Sequence, residues 1–162
     1  MQDYERELLQ NALEGIVADI RERLEVTGTN ASGYTSKTLE VVMRDDGGEI
    51  RGRQAFHTVE TGREPGKVPQ NFTKIIRQWM RDKGITAPPI PYKRQPSERW
   101  QPKYSPEERG AMAMAGSIAY TIKTRGSYLF RHGGRKDIYT EVLDARLAEL
   151  SEKLNIEILK RL

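Results

Sequence analysis

A chain of 162 residues has room for one ordinary domain, so a single compact core is the first expectation. The absence of cysteine excludes disulfides, thiolate metal sites and thiol nucleophiles. An excess of 27 Lys and Arg over 23 Asp and Glu, net +4, falls short of the imbalance of a dedicated nucleic-acid binder.

No run approaches the roughly 18 apolar residues of a membrane span, and the first residues (Met1 to Glu5) are acidic rather than a basic leader. A soluble chain without an export signal is therefore expected. From Tyr4 to about Glu25, Leu9, Leu13, Ile16, Ile20 and Leu24 recur at three- and four-residue steps, predicting an amphipathic helix. Turn formers from Thr27 to Gly33 end it. Leu39 to Met43, a turn Asp45-Asp46-Gly47-Gly48, and a second β-prone run from Glu49 to Glu60 with Ile50, Ala55, Phe56 and Val59 predict a hairpin.

Two prolines and two glycines make Gly62 to Pro69 a shaped loop. The helix after it, about Asn71 to Lys83, is expected to bury Phe72, Ile75, Ile76 and Trp79 and to stop at Gly84. Ile85 to Tyr104 holds five prolines and reads as an extended arm or insertion outside the core. Ser105-Pro106-Glu107-Glu108 then combines an N-cap serine, proline at the first helical position and glutamate three residues on, so a helix starts there and runs to Gly126. Its small residues predict close packing. A second irregular loop, Ser127 to Lys136, precedes a last helix from about Asp137 with a stripe of Leu143, Leu147, Leu150, Leu154 and Ile158.

The spacings that carry catalysis are missing. Gly62 to Val68 has three residues where Walker A needs four, and valine where it needs Ser or Thr to hold magnesium. His57 and His132 belong to no metal-ligand spacing, Gly-x-Ser-x-Gly is absent, and Asp45-Asp46 beside Gly47-Gly48 is turn chemistry. No enzyme, cofactor or metal site is expected.

Val59-Glu60-Thr61-Gly62-Arg63-Glu64-Pro65-Gly66-Lys67-Val68-Pro69, then Ile76-Arg77-Gln78-Trp79 and Lys83-Gly84-Ile85, resemble the neck and tail-completion (head-tail joining) proteins of long-tailed bacteriophages. That pattern has a helix, Ser-Gly before a strand, a strand ending in Val-Glu-x-Gly-Arg-x-Pro-Gly-Lys-x-Pro, and a helix with Ile-x-x-Trp. Ala31-Ser32-Gly33, Ile118 to Ile122 and Leu129-Phe130-Arg131 are also similar to it, so the likeness runs to Tyr139. The proline-rich stretch is longer than the pattern, and Gln70 stands where a second proline is common.

The resemblance implies an α+β fold, an antiparallel hairpin packed by the first helix and further helices, in one domain over 1–162 with the arm at about 85–104. It implies a virion protein of the neck or tail, assembled in the host cytoplasm as a ring homo-oligomer. The expected partners are other copies, connector and tail-tube proteins and DNA passing through the channel, with no membrane. Glu60, Arg63, Lys67, Phe130 and Arg131 are the expected partner-binding residues. The rival expectation is a small nucleic-acid-binding module, with Lys93, Arg94, Arg99, Arg131, Arg135 and Lys136 on phosphates and Tyr92, Trp100 and Tyr128 stacking on bases.

Overall fold

The computed structural model describes residues 3–93, 97, 99 and 101–160, with side chains as far as 156. The expected Arg94, Trp100 and the side chain of Ile158 lie outside the described residues. The fold is α+β: among the described residues there are seven helices and one two-stranded antiparallel hairpin. Its hydrophobic residues gather in two clusters, not in the single core expected, and the chain divides into two compact units, Met1–Gly62 with Gly133–Leu162, and Arg63–His132.

In the first unit, α1 (Asp3–Val26) buries Ile16, Val17, Ile20 and Leu24, the later turns of the expected stripe. Burying side chains of this size contributes about 1.5–3 kcal/mol each. Gly28, at positive φ, lets the chain turn back so that the Thr29 and Asn30 amides donate to the Leu24 carbonyl, ending the helix. One helical turn, α2 (Tyr34–Lys37), leads into β1 (Glu40–Arg44), which pairs with β2 (Gly47–Arg51) in the register Val41 to Ile50. The hairpin loop is Asp45-Asp46 alone, because Gly47 and Gly48 already lie in β2. Gly48 leaves room for side-chain ends: a Cβ there would meet Leu13 Cδ1 at 2.5 Å and Met43 Sδ at 2.8 Å, where α1 packs on the hairpin, so both would have to shift.

The second β-prone run is a strand only as far as Arg51. Ala55, Phe56 and Val59 sit at i, i+1 and i+4, a helical spacing, and the chain there forms turns and the short α3 (Thr58–Thr61). Thr58 and Thr61 hydroxyls donate back to the Ala55 and His57 carbonyls, which favours the turn over a ladder. Phe56 and Val59 still reach the core by packing on the first cluster. The last helix, α7 (Thr140–Lys160), packs on α1. Ile138, just before it, and Val142 are buried, Leu143, Leu150 and Leu154 are half-buried, and Leu147 of the expected stripe is exposed.

In the second unit, α4 (Phe72–Asp82) packs on α5 (Pro106–Arg125). The buried residues of α4 are Phe72, Ile76 and Met80, a strict four-residue ridge. This corrects the expected face, since Ile75 is 45% and Trp79 39% exposed. Gly84 at φ 66 closes α4 as expected, with its amide on the Arg81 carbonyl and the Ile85 amide on Met80, so both late carbonyls are satisfied. The capping box of α5 forms as predicted: the Ser105 side chain accepts from the Glu108 amide, and the Glu108 carboxylate accepts from the Ser105 amide.

The proline-rich stretch is not wholly outside the core. Ile85 and Ala87 pack on the second cluster, and a Cβ at Gly110 of α5 would fall on the Pro88 carbonyl oxygen. The Arg109 guanidinium donates to the Ile90 and Pro91 carbonyls at 3.0 and 2.9 Å and lies over the Tyr92 ring. An extended stretch that joins no ladder needs outside donors for its carbonyls, and this arginine satisfies two of them.

Candidate interaction surface

Glu60 does not stand with the exposed motif residues. It is 3% exposed, the one buried charged side chain among the described residues. Its Oε1 accepts the Ile138, Tyr139 and Thr140 amides at 2.9, 2.6 and 3.0 Å, and Oε2 accepts the Thr140 hydroxyl. The Ile138 and Tyr139 amides lie in the turn that leads into α7 and the Thr140 amide is the first of that helix, so Glu60 anchors its start, and a negative charge there also suits the helix dipole. Burial pushes its carboxyl up, but the hydrogen bonds, Thr140 foremost, outweigh it and hold the group below the usual carboxylate range. The expected role of Glu60 in partner binding is therefore corrected to an internal one.

Arg63, Lys67, Phe130 and Arg131 belong to the second unit, and two loops whose contacting residues, Arg63 and Ser127, are 64 apart in sequence are joined there. The Arg63 amide donates to Ser127 Oγ at 2.9 Å, the Ser127 amide donates to the Arg63 carbonyl at 2.8 Å, and the Gly66 amide donates to the Lys123 carbonyl at 2.8 Å. Ser127 also caps the single turn α6 (Tyr128–Arg131) through the Phe130 amide, so the expected irregular loop contains a helical turn. Only glycine fits where the loops close. Gly126 has φ +81, and a Cβ on it would lie 2.7 Å from Phe130 Cδ1 and 2.9 Å from the Arg63 carbonyl oxygen.

The Arg63 guanidinium is engaged inside this loop, donating to the Lys67 carbonyl at 3.0 Å and lying 5.3 Å above the Phe72 ring. It shapes the surface more than it presents itself. Lys67, Phe130 and Arg131 are exposed, as are Lys123 and Arg125, and Tyr128 is 70% exposed with its ring stacked on His132 at 3.9 Å. Among the described residues none of these four cationic head groups takes part in an ion pair.

No family model, curated protein or solved structure matches this chain.

Of the rival phosphate contacts, Arg135 is paired with Asp137 through two hydrogen bonds of 2.5 and 2.6 Å, which hold the Asp137 carboxyl down at about 2. Lys93, Arg99 and Lys136 are all exposed. No group of three or more His, Asp or Glu that could hold a metal occurs among the described residues, and no described helix is long and apolar enough to cross a membrane.

Charge is divided between the units. Arg63–His132 carries 14 Lys and Arg against 5 Asp and Glu, a formal +9, whereas the rest of the chain carries 13 against 18, a formal −5. The modest total conceals two strong and opposite values. Composition could have revealed this only if the boundary near Gly62 and Gly133 had been known.

Proposed function

We propose that this chain is a non-enzymatic structural subunit of a tailed-bacteriophage particle. It assembles as a ring at the head–tail junction, in the neck or tail-completion position, and joins the DNA-filled head to the tail. The observation that carries the reading is the joined loop pair: the Gly-Arg-x-Pro-Gly-Lys segment and the Leu-Phe-Arg segment, which carry the sequence resemblance, are stitched together by Ser127 and leave Lys67, Tyr128, Phe130 and Arg131 exposed. Shaped loops held on rigid helices are the surfaces that partners read, and a ring subunit must meet a neighbour on each side and the layers above and below. Other copies, connector and tail-tube proteins are the partners in this reading. DNA would pass through the channel, and assembly would precede in the host cytoplasm.

The test is electron microscopy and light scattering of the purified, nuclease-treated protein. Closed rings of one size are expected, and a chain that stays monomeric at every concentration reached would sink the proposal.

A nucleic-acid-binding module is the second reading, supported by the formal +9 of the second unit. It predicts retention of labelled DNA that falls steeply with salt, with no defined oligomer in its absence.

A further inference from the structure

We propose that copies of this chain meet head to tail, the basic loop pair of one seated on the acidic groove between α1 and α7 of the next. The inference rests on the ring reading above and says which surfaces close the ring. The groove, about 360 Å³, lies wholly in the first unit, with Glu22 and Val26 of α1 on one side and Glu141, Val142 and Ala145 of α7 on the other. Of its two arginines, Arg146 is held by Asp19 through bonds of 2.7 and 3.1 Å. Arg23 enters no ion pair among the described residues, so the three carboxylates of the lining, Asp19, Glu22 and Glu141, outnumber its guanidinium groups by one. Glu22 and Glu141 are exposed and enter no ion pair among the described residues, and Val26 is 78% exposed beside them.

A groove with carboxylates at its rim and an apolar ledge suits an occupant that is cationic and carries apolar surface. The loop pair offers that combination, in Phe130 and Tyr128 beside Arg131, Arg125 and Lys67. Aromatic and arginine side chains are those most enriched where interfaces concentrate their energy. A polyanion suits the loop pair alone and leaves the carboxylate-rimmed groove without an occupant. A second copy serves both surfaces, since each chain supplies one of either sign. Two different patches in contact make a heterologous interface, the type that generates rings.

The experiment compares wild type, Arg131→Glu and Glu22→Arg by sedimentation velocity at low and high salt, with circular dichroism to confirm folding. Wild type is expected to assemble at low salt and to dissociate as salt screens the contact. Each variant alone should be monomeric. An equal mixture of the two should form one-to-one dimers, because one intact surface of each kind remains. If both variants assemble as wild type does, this interface is wrong while the ring reading stands. A wild type that assembles only on added duplex or single-stranded DNA makes nucleic acid the occupant and overturns the proposal. A wild type that is monomeric throughout removes the ring reading itself. Should either variant lose helical signal, Lys67→Glu or Glu141→Gln replaces it in the same mixing measurement.

Discussion

The carboxylate of Glu60 accepts both the backbone amide and the hydroxyl of Thr140, 80 residues further along the chain. One buried side chain thereby fixes where α7 begins and ties α3 to it. Replacing Glu60 by Gln keeps the shape but removes the charge that three amides and a hydroxyl converge on. Hydrogen bonds to charged groups are worth about 1.5–3 kcal/mol, so a loss of that size is expected in urea unfolding, and more for Glu60→Ala. A change within a few tenths of a kcal/mol would mean that the anchor is dispensable.

The same group sets an acid limb. Glu60 has a folded-state value held below its unfolded one, so its contribution is complete above the unfolded carboxylate value, about 4.3, and is lost as pH falls through the folded value. Asp137, held down to about 2 by Arg135, loses its contribution in the window between about 4 and 2. Wild-type stability should therefore decline from about pH 5 downward, and Glu60→Gln should show a shallower decline over that window. Parallel acid limbs for the two proteins would contradict this account.

On α4 the neighbours Trp79 and Met80 should behave oppositely. Met80 is buried in the second cluster, and its truncation to Ala should cost about 2–5 kcal/mol. Trp79, 39% exposed and at the edge of that ridge rather than in it, should cost less, about 1 kcal/mol. Denaturant unfolding of the two single variants gives the comparison directly, and a larger loss for Trp79→Ala would restore the face expected from sequence.

Ser127→Ala removes the hydroxyl that accepts the Arg63 and Phe130 amides. A loss of about 1 kcal/mol is expected, typical of an N-cap. Hydrogen exchange should accelerate at the Arg63 and Phe130 amides while those within α4 stay protected. Unchanged exchange at both would show that the loops hold together without this bond.

How far these features were legible in the sequence depends on how local their causes are. The capping box at Ser105 and Glu108 and the glycine stop at Gly84 are contained within a few residues, and both were readable. The buried face of α4 was misjudged because Phe72, Ile75, Ile76 and Trp79 fit a helical stripe as well as Phe72, Ile76 and Met80 do. Only the position of α5 decides between them. For α7 a start at about Asp137 was legible, but the acceptor that anchors it was not, because it comes from Glu60, 78 residues before Ile138. Of the expected interaction residues, the loops were visible as punctuation by Pro and Gly, but their junction through Ser127 and Gly126 spans 64 residues from Arg63 to Ser127 and leaves no local mark.

The first unit is built from both ends of the chain, with Arg63–His132 set between its halves. During synthesis this imposes an order. Once Gly62 has been added, α1 and the hairpin must wait through 70 further residues before the second segment of their unit, which carries α7, begins to be made. At about 5–20 residues per second the delay lasts several seconds, far longer than helices or hairpins take to form. Throughout it the Ile16, Ile20 and Leu24 stripe lacks Ile138 and Val142, and the Glu60 carboxylate has no amides to accept. The second unit, complete in sequence by His132, can fold on the ribosome before the first can close. The segment up to Gly62 is thus most vulnerable to chaperone capture or aggregation until Gly133–Leu162 has been made.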